Sequence, residues 1–340
     1  MLVFGPDWQI SLFPEIYYNK PMKMLAFLLL LSVHASALNI KAPAARADVP
    51  AQIRPSTEST PGYCIFGAQS GKPFSSEAAF RSIVWKSDII YVGETPGQIK
   101  THLAQLETLQ ALRIARGSRI AVGFEMLDSA VQPVLDKYAA GELTEEEFLT
   151  GSDWTGQWGF DFGLYKPLFD FVIRNKLRAL ALNVPKTVVS KIARSGLEGL
   201  TPEERRLLPE KINITGHKKY LEYLKESFAG SEGSPAPQAF TWENYLASVS
   251  AWNEGMGARI ADFVNTNPGW ALLIITGNAH VAYNAAIPAS VKSRTTNIRQ
   301  ASFYTENSAT CPAVFPKGHK NLANYIWYIG RSSAPVNSNP

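Results

Sequence analysis

Four short apolar runs of this 340-residue chain each lead to a polar side chain able to do chemistry. Asp88-Ile-Ile-Tyr-Val92 is followed by Gly93 and Glu94, and Arg119-Ile-Ala-Val-Gly123 leads to Glu125 within Gly123-Phe-Glu-Met126. Leu177-Arg-Ala-Leu-Ala-Leu182 leads to Asn183, and Trp270-Ala-Leu-Leu-Ile-Ile275 leads to Gly277-Asn-Ala-His280. Carboxylates, an amide and an imidazole gathered in one place can coordinate an ion or pass protons. Each also has a structural reading. Thr95-Pro-Gly-Gln98 is a good helix start, with Thr95 as cap, Pro96 in the first turn and Gln98 reaching back. Glu94 therefore either favours the positive end of that helix or belongs to a site. Glu125, directly after Ala121-Val-Gly-Phe124, expects low-dielectric surroundings and needs a partner. His280 either caps the next helix or acts as a ligand.

These residues meet only if the fold delivers them to one edge. Each run is followed by polar or Gly punctuation and then a helical pattern. The alternation predicts an α/β fold, a mainly parallel sheet flanked by helices, in which ligands gather beyond the carboxyl ends of the strands. Residues 185–238 read as a small helical insertion: Thr201-Pro-Glu-Glu204 is a capping box with Pro at the first helical position, and Ala229 to Gln238 is a flexible connection. The following helix carries Tyr245, Val249, Trp252, Met256, Ile260 and Phe263 at spacings of three and four, a stripe that packs on the sheet. The α/β domain then comprises residues 63–184 and 239–330, with a polar tail at 331–340.

Composition narrows the class. With 46% apolar and 18% charged residues, the chain is globular rather than disordered. A net charge of +4 without a Lys/Arg block sets nucleic acid aside as a partner. Residues 1–37 form an N-terminal extension and export signal: Met22 opens a short basic start, Leu25 to Val33 is apolar, and Ala35 and Ala37 form the cleavage site. The apolar stretch is shorter than the roughly 20 residues a spanning helix needs. No Cys follows the cleavage site, so lipid attachment has no support there, and residues 1–21 look unlike a signal. Residues 38–62 are an extended linker. Export predicts a periplasmic or extracellular protein, with membrane association left open, where Cys64 and Cys311 either pair or remain two separate small residues.

In order and spacing, several motifs together resemble a known family. They are Val92-Gly-Glu94, Gly123-Phe-Glu-Met126, the helix from Gln132 to Tyr138, Trp158 with Tyr165-Lys-Pro167, Ala181-Leu-Asn-Val-Pro185 and Gly277-Asn-Ala-His280. Across Asp88 to Pro288 the chain resembles the ChaN-like haem-binding proteins of bacterial haem uptake, relatives of the Tiki proteases and erythromycin esterases. The superfamily pattern implies two GxxH elements and a Glu holding a metal or haem. His280 matches the second element and Glu125 the Glu, whereas Gly93-Glu-Thr-Pro96 has Pro in place of the first His. His102 lies further along, about two turns into a helix starting at Thr95. Within Trp252-Asn-Glu-Gly-Met256, Asn253 stands where an acid is expected.

The resemblance implies a haem-binding protein of haem or iron uptake, a binding protein more than an enzyme. Glu94, Glu125, Tyr165 and His280 are its haem- or metal-binding candidates, Tyr165 as phenolate ligand and His280 as partner or alternative ligand. His102, Trp154, Trp158, Asn183, Gly277 and Asn278 are expected around the pocket. The loop from Asp153 to Tyr165, with Phe160 and Phe162, either walls a haem slot or closes the sheet end as an aromatic lid. Lys166 and Arg259 are available for propionates. Expected partners are haem, outer-membrane or periplasmic uptake components, and a second copy in a homodimer. The alternative is a metal-dependent hydrolase using a divalent ion, with Glu125 as the catalytic residue, or a member that has lost both activities.

Overall fold

The computed structural model describes residues 64–74, 76–231 and 240–329. The export signal, the extended linker, most of the connection before Phe240 and the polar tail lie outside the described residues. The four apolar runs form β3 (Ile89–Glu94), β4 (Ile120–Asp128), β5 (Arg178–Asn183) and β6 (Ala271–Gly277). Flanking them are β1 (Ile65–Gly67), β2 (Pro73–Phe74), β7 (Gln300–Asn307) and β8 (Tyr325–Ile329). All eight join one sheet in the order β2-β1-β8-β7-β3-β6-β4-β5. Pairing is parallel from β8 to β5, and antiparallel where β1 meets β8 and β2.

Successive side chains of a strand point to opposite faces, so each apolar run feeds two cores. Ile90, Val92, Val122, Phe124, Leu273 and Ile275 face one core. It is closed by α1 (Glu77–Lys86), α2 (Ile99–Arg116), α3 (Gln132–Ala140), α4 (Glu145–Gly151), α5 (Trp154–Gln157) and α6 (Lys166–Arg174). Ile89, Tyr91, Leu272 and Ile274 face the other, closed by α7 (Lys186–Ser195), α9 (Lys218–Ser231), α10 (Trp242–Thr266) and α11 (Ile287–Arg294). The expected stripe on α10, Tyr245 through Phe263, is buried there. α8 (Pro202–Arg205) starts with the anticipated Thr201–Glu204 capping box. Cys64 and Cys311 are bridged, with Cα atoms 5.7 Å apart, tying β1 to the segment after β7.

Strand order positions the site. β6 lies between β3 and β4, so Glu94 pairs with Gly277 and Phe124 with Ile275. Glu94, the Thr276–Gly277 strand end and Glu125 consequently share one edge, despite their separation along the chain.

Candidate functional site

Glu94 does not start a helix. Thr95 to Gln98 instead forms a turn, with Gln98 N–H donating to the Thr95 carbonyl at 3.3 Å. Pro96 precedes Gly97, whose φ of +83° is the conformation a turn of this type demands of its third residue. α2 therefore begins at Ile99 with Gln98 as cap residue, and the expected Thr95 cap is corrected. The delay brings His102 into the first turn of α2 rather than two turns along it.

Glu94 is buried within a network. Tyr165 Oη donates to its Oε1 at 2.6 Å, and Gln105 Nε2 donates to its Oε2 at 2.8 Å. Gln105 also meets His102, its Oε1 lying 3.0 Å from His102 Nδ1, which itself lies 3.6 Å from Glu94 Oε2. Because the Gln105 amide nitrogen serves Glu94, its oxygen faces the ring, and His102 donates from Nδ1. His102 Nε2 then presents a bare lone pair, buried and without a hydrogen-bond partner. Burial holds the His102 pKa down at about 4, so the ring is neutral near pH 7. Burial, followed by the Glu94 charge, pushes the Tyr165 phenol well above its ordinary value. The two rings are in contact, with centroids 4.3 Å apart.

Glu125 centres a second network on the same edge. Its Oε2 accepts from Thr276 Oγ1 and from Gly277 N–H at 2.6 Å, while His280 Nε2 lies 3.2 Å from Oε1. Burial raises the Glu125 pKa, but the His280 interaction and the Thr276 and Gly277 hydrogen bonds outweigh it and hold the carboxyl below its usual value. His280 Nδ1 lies 2.7 Å from Asn253 Oδ1, and Asn253 Nδ2 donates to Tyr220 Oη at 3.2 Å. Glu125 also adds to the upward push on Tyr165, so the networks are electrostatic neighbours.

The other pocket candidates serve the framework. Asn183 Nδ2 donates to the Glu125 carbonyl at 2.9 Å, and Asn183 Oδ1 accepts from Val184 N–H at 2.8 Å, fixing where β4 and β5 end. Asn278 bridges to β7, donating to the Thr305 carbonyl at 2.9 Å and accepting from Thr305 N–H at 3.1 Å. Trp154 and Trp158 are buried edge-on to Tyr165, with centroids at 5.4 and 6.1 Å. Phe162 is core, its ring packed at tilted angles against Tyr138, Phe148 and Phe169. The loop is thus a packed lid over Tyr165. Lys166 is engaged by Glu145 and Asp170, and Arg259 donates to Gln132.

Glu94, Glu125 and His280 do converge on one edge, each committed to its own partners. Among the described residues, no group of three or more His, Cys, Asp or Glu side chains could hold a metal ion. Gln105 and Thr276 were not singled out from sequence. Gln105 follows His102 by three residues, the spacing that puts both on one helix face, and this was its available signal. Thr276, inside an apolar strand, carried none.

Comparison with known proteins bears on the fold. The structure described as cofacial haem binding to ChaN of Campylobacter jejuni superposes with a TM-score of 0.58 at 16% identity, over 77% of this chain and 94% of that one. A Bacillus cereus protein follows at 0.40 with 14% identity, over 68% of each chain. The erythromycin esterase EreC in its open conformation follows at 0.39 with 12% identity, over 71% of this chain and 76% of that one. No curated protein matches the chain. The ChaN likeness fixes the architecture, and the family described as haem-binding uptake, Tiki superfamily, ChaN matches residues 83–291, from within α1 to within α11. The chain belongs to that family.

Proposed function

We propose that this protein binds haem at the carboxyl ends of its parallel strands, beside Tyr165 and His102. Family membership over residues 83–291 is the observation that carries the reading. The residues present fit the group: His102 Nε2 is a buried, uncharged nitrogen donor that no other group uses. Haem would supply an iron centre with affinity for an imidazole nitrogen or a phenolate oxygen. Tyr165 would hold it through its phenol oxygen and His102 through Nε2. Glu94, 2.6 Å from that oxygen, is placed to accept the phenol proton. Gln105 fixes the His102 tautomer, as outer-shell partners of ligating imidazoles do. Trp154 and Trp158 exclude water from Tyr165.

The proposal extends to an exported protein, periplasmic or extracellular, that exchanges haem with outer-membrane or periplasmic uptake components and works as a homodimer. The Met22 to Ala37 signal supports export, and so does the Cys64–Cys311 bridge, a bond that persists in oxidising compartments. The metal-dependent hydrolase reading has weaker support. It asks Glu125 for a base, and a carboxylate already holding contacts from His280, Thr276 and Gly277, with a lowered pKa, is a poor one.

The test is a haem titration of the purified protein followed at the Soret band. Saturable binding is expected, weakened about tenfold or more in Tyr165→Phe and in His102→Ala, the loss typical of disturbing a ligand set. Absence of a saturable band, or wild-type affinity in both variants, refutes the assignment.

A further inference from the structure

A cleft lies at the opposite end of the sheet from the Glu94 and Glu125 networks. There, where β3, β7 and β8 begin, the surface opens into a cleft of about 1040 Å³. Three basic residues line it, Lys86, His217 and Arg299, and no Asp or Glu is among its described lining residues. Its polar groups include amide, imidazole and guanidinium donors. Ser302 Oγ lies 2.6 Å from Asn284 Oδ1, and Asn324 Oδ1 accepts from Ser302 N–H at 3.0 Å. With both amide oxygens held by Ser302, the side-chain nitrogens are the hydrogen-bonding groups that Asn284 and Asn324 retain. His217 Nδ1 accepts from Tyr220 N–H at 3.3 Å, which places the ring's hydrogen on Nε2. Arg299 binds Asp88 through Nε and one Nη, at 2.9 and 2.8 Å, and retains the other Nη.

The walls are aromatic. Tyr283 stacks on His217 with centroids 5.6 Å apart, and Tyr325 packs edge-on to Phe74. Tyr283, Asn284 and Asn321, all lining residues, have left-handed backbones at φ of +56°, +53° and +63°. Such conformations persist where surrounding structure imposes them and cluster at binding sites. Burial, then Glu226 and Glu222, keep the Tyr283 phenol above its ordinary value, so it too is a donor.

We infer that this cleft binds a planar aromatic carboxylate, its rings against Tyr283, His217, Phe74 and Tyr325 and its charge among the Asn284, Asn324, Lys86 and Arg299 donors. The site is separate from the strand-end network and does not depend on haem binding there. Pyrene-1-carboxylate is the probe, read by fluorescence anisotropy on the full chain, with neutral pyrene-1-methanol and inorganic phosphate as comparisons. The carboxylate should bind saturably, the alcohol at least tenfold more weakly, and phosphate should not displace it at equal concentration. Asn324→Asp keeps the oxygen facing Ser302 and replaces the donor with an acceptor, and Lys86→Glu reverses an exposed charge. Each should weaken binding about tenfold, while Tyr165→Phe should leave it unchanged. No binding to the wild-type chain, unchanged affinity in both cleft variants, equal affinity for the alcohol, displacement by phosphate, or loss in Tyr165→Phe would each overturn the inference.

Discussion

Acidifying the haem-free protein should destabilise it chiefly through the imidazole of His102. His102 is 3% exposed, and burial lowers its pKa from 6.5 to about 4. The unfolded chain takes up a proton at this residue in the window from about pH 6.5 down to about pH 4, whereas the folded chain does not. The His102 contribution is therefore fully present above the unfolded pKa and is lost as pH falls towards the folded one. The whole shift corresponds to about 3 kcal/mol, of which about 2 kcal/mol is lost between pH 7 and pH 5. Glu125 works in a lower window. Its folded pKa lies below the ordinary 4.5, so its contribution is present above that value and is lost only as pH falls below it. The half-buried His319 is also depressed by burial and adds a loss of the same sign. Comparison with His102→Asn, whose amide can maintain a bond to Gln105, isolates the His102 part. Urea denaturation at pH 7 and pH 5 should show the wild type losing about 2 kcal/mol more than the variant over that interval. Equal losses in the two proteins would refute the reasoning, because a ring that stays neutral only through burial must produce the difference.

Two further outcomes follow from contacts near the same strands. A Cβ added at Gly93 would lie 2.4 Å from Asn278 Oδ1 and 3.0 Å from Val281 Cγ2, so Gly93→Ala should cost roughly 2 kcal/mol by displacing the Asn278 bridge to β7. Gly277→Ala, whose Cβ would meet nothing closer than 3.7 Å, should stay within about 0.5 kcal/mol; equal drops in thermal midpoint would contradict the packing argument. Reducing Cys64–Cys311, a bridge spanning 247 residues of sequence, should lower stability by roughly 2–4 kcal/mol. That is measured as the unfolding midpoint with and without reductant, and an unchanged midpoint would count against it.

The strands that carry the site were legible because each is a run of apolar residues buried on both faces, the pattern a parallel sheet imposes. β7 and β8 were not singled out. Gln300–Asn307 mixes polar and aromatic residues, and its place is set by partners far away in sequence, β3 on one side and β8 on the other. Convergence of Glu94, Glu125 and His280 followed from the rule that parallel strands present their carboxyl ends together. The partner of each did not. That Glu94 takes Tyr165 and Gln105, while Glu125 takes Thr276, Gly277 and His280, depends on β6 lying between β3 and β4, an order that no local pattern encodes.

The same limit explains the first-motif histidine. Counting from Thr95, His102 falls too deep in a helix to stand beside Glu94, and Pro96 occupies the position where the superfamily pattern implies an imidazole. Pro96 and Gly97 instead spend those residues on a turn, and the helix starts at Ile99. A shift of three residues, from Thr95 to Gln98 as the cap, is just under one helical turn, about 4.5 Å along the axis. It carries His102 back to the edge of the sheet, with Nδ1 3.6 Å from Glu94 Oε2. The chain therefore keeps an imidazole next to its first glutamate by moving the start of the helix. Because Gln105 occupies Nδ1, the nitrogen left open is Nε2, on the side of the ring away from that hydrogen bond.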